Sequence, residues 1–206
     1  MSPALVLLRV LPVMVTSSTL TFTFCEDLFL RPHTRLSGTA RDHVNGVLPP
    51  YVKRWFPRGF AYVLVLYPAT WALGIANLAV RTVSMHPYSQ HSSTANLAAA
   101  RASWGLYAAG LIFSMAHFAW GLKARGLMDT VAGNGSAAVV HNANSGKDGN
   151  NAISGNEVSR EEALDGINDS IPTLRAWLRL NAIRGISVDV PAWACFFVGF
   201  LLSVGY

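Results

Sequence analysis

Charge is scarce in this chain of 206 residues: Asp, Glu, Lys and Arg together make up 13%, about half the share of an ordinary soluble domain. That shortage argues against a soluble enzyme and a disordered chain. The net charge of +5 comes without a basic stripe, so nucleic acid is not an expected partner. Cysteine is nearly absent: Cys25 and Cys195 both lie in apolar runs, which offers neither a disulfide framework nor a zinc site. Ligand spacing for metals is missing too, with no His pair at i, i+4, no Cys-x-x-Cys and no Glu-x-x-His. The chain also lacks a Gly-rich phosphate loop and a Gly-x-Ser-x-Gly elbow.

What is present is apolar. Hydrophobic residues reach 51%, and the charges are packed between long uncharged runs. A helix needs about 20 mostly apolar residues to cross a bilayer core of roughly 30 Å. Residues 59–80 carry no charge, 102–122 hold His117 as their one ionisable group, and 186–206 hold only Asp189. A first span over about residues 4–25 includes Arg9; it is rich in Ser and Thr and lacks a small-x-small site before Glu26, so it reads as a retained span rather than a signal peptide. The expected fold is all-α, an integral membrane four-helix bundle forming a single domain over 1–206, with membrane lipid around it.

Thirteen Lys and Arg residues fall in the two loops after the first and third spans, against three (Arg9, Arg81 and Arg101) on the other side. The positive-inside rule places both long loops in the cytosol, with the endoplasmic reticulum as the expected membrane. Sequons at Asn134 and Asn168 in the third loop argue for the opposite orientation. Residues of about 126–170 form an expected flexible loop, poor in large apolar side chains between Gly133 and Asn156. Tyr51 to Arg58 is expected at the membrane interface, and 171–185 as an amphipathic helix before the last span.

Ionisable groups in or beside a span are candidates for function because burying them is costly. Glu26 and Asp27 close the first span, and mutual repulsion with desolvation suits one of them to accept a proton. The alternative is a solvated helix end beside Arg31. His117, inside the third span, is either a base or a hydrogen-bonding partner for a neighbouring helix. Arg184 and Asp189, five residues apart, are expected to pair. His33 and His43 in the first loop are secondary candidates.

Two stretches carry a resemblance. RWFPRGFAYVLVLYPATWALGIANL, from Arg54 to Leu78, resembles the second-span signature of small fungal membrane proteins of the anthrone oxygenase-like family, through Trp55, Gly59 and Pro68. WLRLNAIRG, Trp177 to Gly185, is similar to that family's run into its last helix, through Trp177, Asn181 and Arg184. The chain departs from the family at Gly121 to Arg125, where a Pro-x-Asn turn is usual. The resemblance implies a secondary-metabolite (polyketide) oxygenase that oxidises an anthrone-like aromatic substrate with O2 and no tightly bound cofactor. In that scheme His117 or the Glu26/Asp27 pair is the base, Arg184 is the oxyanion partner beside Asp189, and Trp55, Trp177 and Asn181 line the substrate. The alternatives are an acid–base cyclase or isomerase on the same scaffold, and a non-catalytic scaffold that docks pathway enzymes or a second copy of itself.

Overall fold

A computed structural model describes residues 2–84, 94–145 and 169–204. Regular structure among them is entirely helical: α1 Pro3–Leu30, α2 Thr39–Ser84, α3 Thr94–Ala116, α4 Gly121–Ser145, α5 Ile171–Arg184 and α6 Val190–Val204. Short irregular turns fall at Arg31–Arg35, His117–Trp120 and Gly185–Asp189. Four stretches are long and apolar enough to cross a membrane: Pro3–Arg35, Thr39–Val80, Leu97–Gly133 and Ile171–Val204. The all-α, four-span reading of the sequence therefore stands. Each helical stretch runs well past its expected apolar segment, because a helix continues wherever its next turns find packing and nothing in the uncharged run marks that end. Tyr51 to Arg58 is part of α2, and α4 carries helix through Gly133 to Ser145. Asn168 lies outside the described residues.

The chain divides into two compact units. The first comprises Met1–Glu26, Ala61–Gly121 and Ala182–Tyr206. Its surface is apolar, with Val65, Ile112 and Ile186 well exposed, while Thr16, Thr19, Thr23, Thr70, Ser103 and Ser114 are buried. That inversion suits lipid, where small hydroxyl residues allow helices to approach closely. Several hydroxyls are satisfied within their own helix, as in Thr16 Oγ1 to the Pro12 carbonyl at 2.7 Å and Thr70 Oγ1 to the Leu66 carbonyl at 2.9 Å. Others join helices. Asn77 donates from α2 to the Leu8 carbonyl at 2.9 Å, Tyr107 from α3 to the Arg9 carbonyl at 2.9 Å, and Ser103 to the Gly199 carbonyl of α6 at 2.8 Å. Trp193 Nε1 donates to Ser17 Oγ at 2.9 Å, tying α6 to α1. Phe196, fully buried, fills the middle against Tyr107 and Val13. Gly110 makes room for it: a Cβ there would stand 3.1 Å from three atoms of the Phe196 ring.

The second unit comprises Asp27–Phe60 and Leu122–Asn181. Leu48 and Val52 of α2, Met128 and Val131 of α4, and Leu174, Trp177 and Leu178 of α5 form its core. Met128 and Val131 explain why α4 persists here, since both are fully buried. Asp169 starts α5 by accepting the Ile171 N–H at 3.0 Å, and it pairs with Arg41. Arg175 closes the arrangement by donating to the Thr34 carbonyl at 2.7 Å.

Two outcomes follow. Gly110→Val forces Phe196 off its position and lowers stability in detergent by about 1–3 kcal/mol, whereas Gly105→Val, with nothing within 4 Å of its Cβ, stays near wild type; thermal unfolding of both variants checks this. Burial pushes the Asp169 carboxyl up, but hydrogen bonds from Arg41, the Ile171 amide and Asn45 outweigh it and leave it below its ordinary value. Its contribution is therefore complete above the unfolded value of about 3.9 and is lost as pH falls through the lower folded value. Melting temperatures measured downward from about pH 5 fall more steeply for wild type than for Asp169→Asn.

Candidate active site

Two breaks in helix geometry build the site of the first unit. At the end of α3 the chain tightens into the turn His117–Trp120, and the His117 side chain is buried. Between α5 and α6 it widens into a π turn, Gly185–Asp189, closed by the Val190 N–H donating to the Gly185 carbonyl. An α-helix turns 100° per residue, so a step of five residues would point Asp189 about 140° away from Arg184. The wider turn reduces that angle and brings the two together. Gly185 fits against α1, where its Cβ would stand 3.4 Å from Thr23 Cγ2.

Asp189 is 4% exposed and is the hub. Its Oδ1 accepts the Tyr67 hydroxyl at 2.9 Å and lies 2.9 Å from His117 Nδ1. A carboxylate only accepts, so His117 carries its proton on Nδ1 and keeps its lone pair on Nε2. Oδ2 faces Arg184 Nε at 3.4 Å, an ion pair without hydrogen-bond alignment. Arg184 also donates from Nη2 to Thr23 Oγ1 at 3.3 Å. The Tyr67 ring lies over the imidazole, with centroids 3.8 Å apart, and fixes its plane. Phe118 stands edge-on to Tyr67 at 5.8 Å, and Trp71, one helical turn beyond Tyr67, packs on Phe118 at 5.2 Å. Chemically this is a buried His–Asp dyad with a neighbouring guanidinium and an aromatic wall. It can take a proton at His117, and the carboxylate steadies the imidazolium that results.

Of the residues singled out in the sequence, His117, Arg184 and Asp189 meet. Glu26 is buried on α1 in the same unit. Asp27 forms an i, i+4 pair with Arg31 at 2.7 Å and 2.5 Å, partly in solvent, which is the bland alternative for that residue. Trp55 and Trp177 meet edge to face at 6.5 Å in the second unit, where Trp177 is core. Asn181, also in that unit, is buried. His33 is half-buried and His43 exposed, both in the second unit. A cavity of about 280 Å³ in that unit, lined by Val52, Phe56, Met128, Lys53 and Asp129 among others, includes none of these candidates. Among the described residues no three His, Cys, Asp or Glu side chains converge as metal ligands.

The sequence reading missed Tyr67, Thr23 and Trp71. A signal for Tyr67 was available: a phenol in an uncharged span must find a partner for its hydroxyl.

No family model matches the chain, and no solved structure does. Curated relatives do. Epoxidase pydX of an Acremonium species is 27% identical over 193 residues, covering 92% of this chain and 90% of its own length. Epoxidase gkaX of Penicillium citrinum is 27% identical over 199 residues, with 95% and 93% covered. The probable epoxidase scpX of Mollisia scopiformis is 25% identical over 198 residues, with 96% of both covered. The likeness thus spans nearly the whole chain.

Removing Asp189 alone strands a buried guanidinium and two polar side chains. Asp189→Ala is expected to cost about 3–5 kcal/mol. The double variant Arg184→Met/Asp189→Leu, which removes both charges together, costs less; denaturation of purified protein in detergent ranks the two.

Proposed function

We propose that this chain is an integral membrane oxygenase of fungal secondary metabolism, with His117 as base, Asp189 as its orienting carboxylate and Arg184 as partner to a developing oxyanion. The observation that carries this reading is the pair of 2.9 Å contacts at Asp189 Oδ1, which leave His117 Nε2 as the basic atom. Relatives named epoxidases along almost the entire chain support oxygen chemistry.

The substrate in this proposal is an anthrone-like carbon acid. His117 removes a proton from the doubly benzylic methylene opposite the carbonyl in the central ring, giving an aromatic enolate whose oxygen Arg184 stabilises. The enolate passes one electron to O2, and the carbon radical and superoxide combine as a hydroperoxide. Loss of water then leaves a ketone. The methylene becomes a carbonyl and O2 ends as that carbonyl oxygen and one water, so the substrate supplies every electron and no further cofactor is needed.

The relatives' printed names favour a second reading, oxygen transfer to an alkene. That reaction consumes two additional electrons and so requires a reductant, of the nicotinamide class, to be added. The endoplasmic reticulum, with both long loops cytosolic, is the proposed location on the balance of Lys and Arg. A small aromatic substrate is the proposed partner. The cyclase and scaffold alternatives predict no oxygen consumption.

Oxygen uptake by microsomes bearing the protein, with an anthrone panel and no added reductant, is the test. Uptake above empty microsomes is expected, and His117→Ala is expected to reduce it about 100- to 10,000-fold. Product mass separates the readings: a ketone gains one oxygen and loses two hydrogens, while an epoxide gains oxygen alone. Absence of uptake with folded protein, with and without reductant, rejects the oxygenase.

A further inference from the structure

The interior of the first unit satisfies its neutral donors with care. Tyr67, Tyr107, Asn77 and Trp193 each reach an acceptor at 2.9 Å. Trp71 breaks the pattern: its Nε1 is buried and has no acceptor among the described residues. An indole N–H can only donate. In an apolar span there is no water to take that proton, so an unmade bond here is a standing cost.

Its position gives the vacancy a meaning. Trp71 follows Tyr67 by four residues and so shares its face of α2. Both rings touch Phe118, at 5.2 Å and 5.8 Å, and Phe118 follows His117 in the chain. The ring that carries this unpaired donor therefore belongs to the same aromatic wall as the His117–Asp189 dyad. We infer that Trp71 is a specificity-determining residue of this site, its indole N–H receiving the carbonyl oxygen of a flat, apolar ketone. This rests on the oxygenase reading for what the ketone is used for, but not for whether it binds.

The chemistry selects a class. A pure hydrocarbon leaves the N–H unpaired, while a hydroxyl in the same place brings a further donor that needs its own partner. A carbonyl accepts and asks for nothing back. In a carbon acid that carbonyl oxygen is also the atom that takes negative charge when the conjugated C–H ionises, so a donor on it strengthens as the reaction proceeds.

The test uses the full chain in nanodiscs, with 15N-labelled tryptophan indoles and a pair of tricyclic probes, fluorenone and fluorene, that differ by the carbonyl. Trp71→Phe keeps a ring at the site and identifies the Trp71 resonance by its disappearance. The Trp193 resonance, bonded to Ser17, reports that the variant is folded. The expected result is a shift of the Trp71 N–H with fluorenone but not with fluorene. Fluorenone should bind roughly three- to tenfold tighter than fluorene, and the ratio should fall to near one in Trp71→Phe. A Trp71 resonance unmoved by fluorenone, or a preference that survives Trp71→Phe, overturns the inference and leaves the indole as packing against Phe118. His117→Ala in parallel separates the two readings: oxygen uptake that survives it overturns the base, while a ketone preference that still depends on Trp71 keeps the donor.

Discussion

A carboxylate buried inside an apolar span governs this structure. Removing an ion of that size from water costs several kcal/mol even after relaxation, and lipid offers nothing in return. Asp189 is met by a phenol from α2, an imidazole from the end of α3 and a guanidinium from the end of α5. α1 contributes Thr23, which holds the far side of that guanidinium. All four membrane-length stretches therefore send a side chain toward one acid. The departures from α geometry follow from the same demand, since the π turn and the tight turn at His117 both occur where a side chain must be re-aimed.

Charge balance explains why such a cluster can persist in an apolar interior. Asp189 and Arg184 cancel, and Tyr67 and a neutral His117 add nothing. An ion pair alone would suffice to pin helices together. The imidazole adds a group whose proton inventory can change, held with one nitrogen on the carboxylate and its plane set by Tyr67 3.8 Å away. A proton arriving at Nε2 would create an imidazolium 2.9 Å from a carboxylate, whose attraction offsets part of the cost of charging a buried ring.

Much of this was legible in the sequence, and the reasons differ by residue. The four spans were visible because a run of uncharged residues of membrane length has few other uses. His117, Arg184 and Asp189 stood out as rare ionisable groups in or beside such runs, and their expense in lipid is what made them readable. The pairing of Arg184 with Asp189 was also within reach, but not the turn that permits it, because five residues apart on an ordinary helix face apart. Tyr67 and Trp71 were hidden for the opposite reason: aromatic residues in a span read as packing, and their polar atoms become informative only when partners are counted. Trp55 and Trp177 illustrate the reverse case. Their position next to a basic approach suggested a substrate wall, and the fold places them against each other with Leu174 and Val52 in a core.

The setting itself bears on the chemistry. Molecular oxygen and flat aromatic compounds both concentrate in lipid, so the proposed reactants would reach a site within a bundle without an aqueous route. In the proposed reaction, low dielectric would strengthen each contact with the developing anion, and exclusion of water would keep the carbanion from being quenched before oxygen arrives. Such a site must also be rigid, since loosened donors would solvate substrate and transition state alike. The packing below it supplies that rigidity: Ser103 bonds to the Gly199 carbonyl at 2.8 Å, and Gly110 and Gly199 leave room only for the Phe196 and Tyr107 rings already there. The irregular turns thus sit on a close-packed base that fixes the geometry around Asp189.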